Sequence, residues 1–68
     1  KVTEKSPLVN KTLREAKIPE ETGMWVLAIK RGDKCIRPKP DTRIQVGDIL
    51  IASGYAEGEK DLEKLASP

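Results

Sequence analysis

Histidine and phenylalanine are missing from this 68-residue chain, and cysteine, tryptophan and tyrosine occur once each. Each gap removes a class of chemistry. With no His and a single thiol, Cys35, the chain has neither a disulfide nor a zinc framework, and Cys35 has no base to make it a nucleophile. A lone thiol suits a reducing cytosol better than secretion. No apolar stretch approaches the roughly 18 residues of a membrane span, so no direct membrane insertion is expected. No catalytic carboxylate pair and no glycine-rich phosphate loop is present, which argues against an enzyme. Acids at Glu20, Glu21, Asp33, Asp41 and Asp48 have no calcium-loop spacing and read as solvated side chains, so no metal is expected.

Charge is plentiful but balanced, with 35% charged residues and a net charge of +2. That is a solvated surface rather than the basic footprint of a dedicated nucleic-acid binder, and Trp25 and Tyr55 are too few to stack a row of bases. A small nucleic-acid-binding β-rich domain therefore ranks low, and no direct nucleic-acid partner is expected. At this length the chain is one domain, residues 1–68, whose core alone supplies about 3–5 kcal/mol, so a partner surface is expected to add to it. Opening on Lys1 without a basic-then-apolar leader, it reads as a fragment of a longer protein.

What is present is concentrated between Met24 and Gly54. Met24 to Ile29 is an unbroken apolar run of strand formers, closed by the turn signal Arg31-Gly32-Asp33, and reads as a strand buried on both faces. By the period of two, Trp25, Leu27 and Ile29 share one face and Met24, Val26 and Ala28 the other. Cys35 to Arg37 makes a second strand, which Pro38-Lys39-Pro40 cannot continue. Gly47-Asp48 turns the chain into a third strand, Ile49 to Ala52, with Gly47 at positive φ. The Arg-Gly-Asp triplet needs no cell-adhesion role, since a glycine turn accounts for it.

Around this core, Lys1 to Lys5 reads as a short edge strand, and Ser6-Pro7 as the start of a helix whose Leu8, Thr12, Leu13 and Ala16 form one stripe. Ile18-Pro19 breaks that helix, a further turn runs to Gly23, and Glu57 to Ala66 forms a closing amphipathic helix. The expected fold is α+β, a small, mostly antiparallel sheet in the order β-α-β-β-β-α with helices packed on it. Arg31, Arg37, Lys39 and Arg43 form a basic cluster at the middle loop, and Trp25 reads as a core or interface residue.

The series Ser6-Pro7-Leu8, Lys11-Thr12-Leu13, Val26-Leu27-Ala28-Ile29-Lys30-Arg31-Gly32, Ile36, Pro38, Asp41-Thr42, Val46-Gly47-Asp48-Ile49-Leu50 and Gly54 resembles the TrkA-C, or RCK C-terminal, regulatory domain of potassium uptake and channel proteins. The resemblance implies a non-catalytic homodimeric module attached to the rest of a parent chain and to a membrane potassium transporter or channel, on the cytoplasmic side. It also implies a small regulatory ligand such as a cyclic dinucleotide, with no other cofactor, held in a groove at the dimer axis. Residues expected at that groove are Ile18, Met24, Ile36 and Pro38 as walls and Arg37 as a phosphate contact. The expected dimer contacts are Met24, Trp25, Val26 and Ile36. A plain dimerisation module without ligand is the alternative.

Overall fold

A computed structural model describes residues 1–68, and the stretch from Met24 to Gly54 supplies its entire sheet. Strand β1 (Met24–Arg31) lies in the middle, with β2 (Lys34–Ile36) and β3 (Ile49–Gly54) antiparallel on either side. Gly32 and Asp33 make the tight turn between β1 and β2. Beyond Ile36 the ladder stops, as the two prolines require. Gly47 has a φ of 89°, as expected for the turn into β3, and an L side chain there would be strained.

The pairing of β1 with β3 slips by one residue between Val26 and Ala28, so Leu27 is the extra residue of a β-bulge. A bulge reverses the side-chain alternation. Met24 and Val26 point inward before it and Ile29 and Arg31 after it, whereas strict period two would put Ile29 with Trp25 and Leu27. The strand is therefore not buried on both faces within one subunit. Ile29 is fully buried, but Trp25 and Leu27 are 64% and 59% exposed.

The helical layer covers the inner face. Helix α1 (Leu13–Ala16) starts at Thr12, whose hydroxyl accepts from the Glu15 amide at 3.1 Å while Glu15 accepts from the Thr12 amide at 2.9 Å. This reciprocal Thr-x-x-Glu cap sets the start of the helix. The expected start at Ser6-Pro7 is a correction: residues 7–10 form turns, and Asn10 has a φ of 68°. Ser6 instead holds two distant segments together, accepting from the Leu8 amide at 3.1 Å and donating to the Leu65 carbonyl at 2.6 Å. Lys17, left-handed at φ 50°, separates α1 from α2 (Ile18–Thr22), which ends at Gly23 as expected.

Helix α3 (Ala56–Ala66) buries Gly58, Leu62 and Ala66, spaced four residues apart on one side. A Cβ on Gly58 would collide with the Thr22 carbonyl, so the close approach of α3 to α2 depends on that glycine. Val2, Leu8, Ala16, Ile18, Met24, Ile44, Leu62 and Ala66 form the core, with Val26, Leu50 and Ala52 of the sheet packed against them.

The architecture is α+β, as the sequence implies, but Lys1 to Lys5 adds no strand. Val2 is the only strongly apolar residue in that segment, and it anchors the segment by inserting into the core. Its amide donates to Asp48 and its carbonyl accepts from Gly47, both at 2.8 Å, so it grips a turn rather than a ladder.

Candidate ligand groove

One groove is large enough for a small molecule, with a volume of about 550 Å³. Leu13, Arg14 and Lys17 form its first wall, and Ile18, Pro19 and Glu20 of α2 its second. Trp25 and Val26 at the start of β1 and the Pro38-Lys39-Pro40 loop complete it. The loop is fixed to the helix. Leu13 and Arg14, whose amides lack partners inside so short a helix, donate to the carbonyls of Thr42 at 2.9 Å and Pro40 at 3.0 Å. The loop is closed in turn by the Thr42 hydroxyl, which accepts from the Lys39 amide at 3.1 Å.

The groove combines an apolar surface with a basic rim. Arg14, Lys17 and Lys39 face a single acid, Glu20, while Leu13, Trp25 and three prolines supply flat or apolar surface. Such a site suits a ligand that carries both a negative charge and a ring, because cations hold phosphate or carboxylate and Trp and Pro faces accept a planar group.

The expected ligand residues fall in different places. Ile18 and Pro38 line the groove. Met24 is buried in the core. Ile36 is half-buried on β2 opposite Ile29, and Arg37 is exposed beside Pro38 without lining the groove. Of the expected dimer contacts, Met24 and Val26 point into their own subunit, and Trp25 points outward. Arg14, Lys17 and Lys39 are the cations the groove brings together, and the first two belong to the helical segment rather than to the basic middle loop.

The basic cluster expected at that loop is dispersed. Arg31 turns back to grip Asp48 through two hydrogen bonds of 2.8 Å and reaches the Arg43 carbonyl at 2.9 Å. Arg43 donates to the Asn10 carbonyl at 2.7 Å. Asp48 is therefore not the solvated acid that its place in the sequence suggests: it is fully buried and also accepts from the Gln45 amide at 2.9 Å. Burial alone would raise its carboxyl, but the bonds from Arg31 and from the Gln45 amide outweigh burial and hold it below the ordinary 3.8. The Arg31 guanidinium is pushed up by the same bond. This pair holds the end of β1 against the turn that launches β3.

The family model described as the TrkA-C domain matches residues 1–67. The chain belongs to the TrkA-C domain family. Among curated relatives of this TrkA-C domain, potassium channel protein 1 of Methanocaldococcus jannaschii is 46% identical over 65 residues, covering 94% of the chain and 19% of that protein. The chain thus spans about a fifth of the length of the curated relatives it matches. Among solved structures, the RCK C domain of the potassium transport protein KtrA, in complex with cyclic diadenosine monophosphate, is 34% identical with a TM-score of 0.82. That match covers 94% of this TrkA-C domain and 74% of the KtrA chain. The RCK_C domain dimer of Streptococcus agalactiae BusR, in complex with c-di-AMP, is 25% identical with a TM-score of 0.85, covering 93% of this chain and 84% of that one.

Proposed function

We propose that this chain is the dimerising, ligand-sensing regulatory domain of a potassium transport or channel protein, acting on the cytoplasmic side of the membrane without catalysis of its own. The observation that carries the reading is the groove between α2, the start of β1 and the Pro38-Lys39-Pro40 loop, in a domain of this family. Its ligand is a cyclic dinucleotide, with phosphate at the Arg14, Lys17 and Lys39 rim and a base against Trp25 and the prolines. The complexes of KtrA and BusR with c-di-AMP support the choice of ligand, and the BusR dimer supports the choice of assembly. Pro38 lines the groove, and the exposed Arg37 precedes it in the chain.

Thermal denaturation with and without c-di-AMP tests the proposal. Binding only to the folded state at a hundred times the dissociation constant adds about 2.7 kcal/mol of stability, which moves the melting temperature of a domain this small by about 10–20 °C. Lys17→Glu with Lys39→Glu should abolish the shift. An unchanged melting temperature in the parent domain leaves the plain dimerisation module as the function.

A further inference from the structure

Left-handed backbone occurs at Asn10, Lys17, Gly23, Gly32 and Gly47. Glycine has no Cβ to clash there, and asparagine has a short side chain that bonds locally, so both tolerate it. Lys17, at φ 50° and ψ 43°, has neither advantage. Its backbone is pinned from both sides, its amide donating to the Leu13 carbonyl at 3.3 Å and its carbonyl accepting from the Glu21 amide at 2.9 Å. It also caps α2 without a side-chain hydrogen bond, at a position where asparagine or serine could supply one. The side chain is exposed, and its ammonium takes part in neither ion pair of the chain, Arg31–Asp48 or Arg43–Glu15. The backbone would be better served by glycine or asparagine, so what lysine contributes lies in where its side chain stands.

That place is the groove. Lys17 is the joint at which the wall made by Leu13 and Arg14 of α1 meets the wall made by Ile18, Pro19 and Glu20 of α2, and it lines the groove with them. A right-handed residue at this position would carry α1 straight on into α2 and abolish the angle between the two walls. We infer that Lys17 is the groove's principal anion contact, and that the domain keeps strained backbone at this residue because the same left-handed turn opens the groove and sets the ammonium at its corner. This rests on the reading of the groove as a site for a negatively charged ligand. It ranks the three rim cations, placing Lys17 above Arg14 and Lys39, whose backbones are not left-handed. Backbone strain of this kind persists where the surrounding structure over-determines it, and it clusters at ligand sites.

Lys17→Asn tests both halves of the inference, because asparagine keeps the left-handed turn while removing the charge and most of the strain. Without ligand, this variant should melt about 4 °C or more above the parent domain. Lys39→Gln, which removes a charge from unstrained backbone, should not. In calorimetric titration with c-di-AMP at fixed ionic strength, Lys17→Asn should weaken binding about tenfold or more, as expected for the loss of one charge-assisted contact, and by more than Lys39→Gln or Arg14→Gln does. Titration with inorganic pyrophosphate, followed by phosphorus NMR, reads the anion contact free of any base and should show the same order. A Lys17→Asn protein no more stable than the parent overturns the proposal. Undiminished binding by that variant, or equal losses in all three, also overturns it while leaving the groove as the ligand site. A parent domain that binds neither probe removes the groove reading and this assignment together. Pyrophosphate bound without c-di-AMP, and lost in Lys17→Asn, upholds the assignment while overturning the choice of ligand.

Discussion

The two faces of the sheet are built from the same kinds of residue and have opposite fates. On the inner face Met24 belongs to the core and Val26, Leu50 and Ala52 pack against it, and Ile29 is fully buried. On the outer face Trp25, Leu27, Ile49 and Ile51 meet water. Hydrophobic residues drive folding only where something covers them, so hydrophobicity alone does not say which face stabilises the subunit. The difference is set by the bulge at Leu27, which decides which residues of the main strand join the core.

The comparison breaks most visibly at Ile29. Ile29→Ala should cost about 2–5 kcal/mol in urea denaturation, because the side chain is fully enclosed. Leu27→Ala, two residues away, should cost well under half of that when both are measured as monomers. Equal losses would mean that the outer face is covered within the subunit.

Next in size is the Arg31–Asp48 pair at the end of β1. Asp48→Ala leaves a guanidinium facing the core rim without its partner and should cost about 3 kcal/mol, at the low end for a broken buried pair because Arg31 is partly open to solvent. The pH dependence has a definite sign. A carboxyl held below its unfolded value contributes its full stability above that value, 3.8, and loses it as pH falls through the lower folded value. Stability should therefore drop from about pH 4 downward, and Asp48→Asn should flatten that part of the profile. Glu15, held low mainly by the Thr12 amide and hydroxyl, has the same sign. A variant as acid-sensitive as the parent would show that Asp48 is not the responsible group.

A smaller effect is expected at Gly47, where a β-branched side chain at φ 89° is strained: Gly47→Val should cost about 1–3 kcal/mol. An unchanged melting temperature would mean that the turn relaxes without disturbing β3. The smallest effect on the subunit should come from Trp25→Ala. Full burial would make that change severe, but the ring is mostly exposed, so the loss should stay below about 1 kcal/mol in the monomer and appear in assembly instead. A large loss at low protein concentration would contradict the exposed placement.

Much of this was readable in the sequence because it depends on neighbours. The three strands, the turn at Gly47 and the closing helix each follow from residues a few positions apart, whereas the helix break expected at Ile18-Pro19 falls one residue earlier, at left-handed Lys17, and Ile18-Pro19 open α2. The Thr12-Glu15 cap was equally local and visible as Thr-x-x-Glu, but Ser6-Pro7 gave an earlier start signal of the same kind and took its place. What escaped depends on distance. Arg31 and Asp48 are seventeen residues apart and meet only because β1 ends where β3 begins. Arg14 and Lys17 join Lys39 in the groove only because the proline loop is bonded to the first turn of α1. The bulge has no proline or glycine to announce it, and without it the inward and outward residues of β1 are assigned wrongly after Val26. Of the residues that the sequence offered for ligand and dimer contacts, Ile18, Trp25 and Pro38 line the groove while Met24 and Val26 go to the core, a division that depends on the bulge and the loop rather than on neighbours in sequence.

The joining of the first and last segments has a consequence for how the chain can be rewired. Thr3 donates to the Ala66 carbonyl through both its amide, at 2.9 Å, and its hydroxyl, at 3.3 Å, and Ser6 holds Leu65 a few residues on. Residues from opposite ends of the chain therefore lie side by side, within reach of a short flexible linker from Pro68 to Lys1. New termini opened at the exposed Gly32-Asp33 turn would give a circular permutant in which β2 leads and β1 comes last. In that permutant the contacts between α3 and the opening segment become local in sequence, and the central strand's pairing with β2 becomes the long-range step.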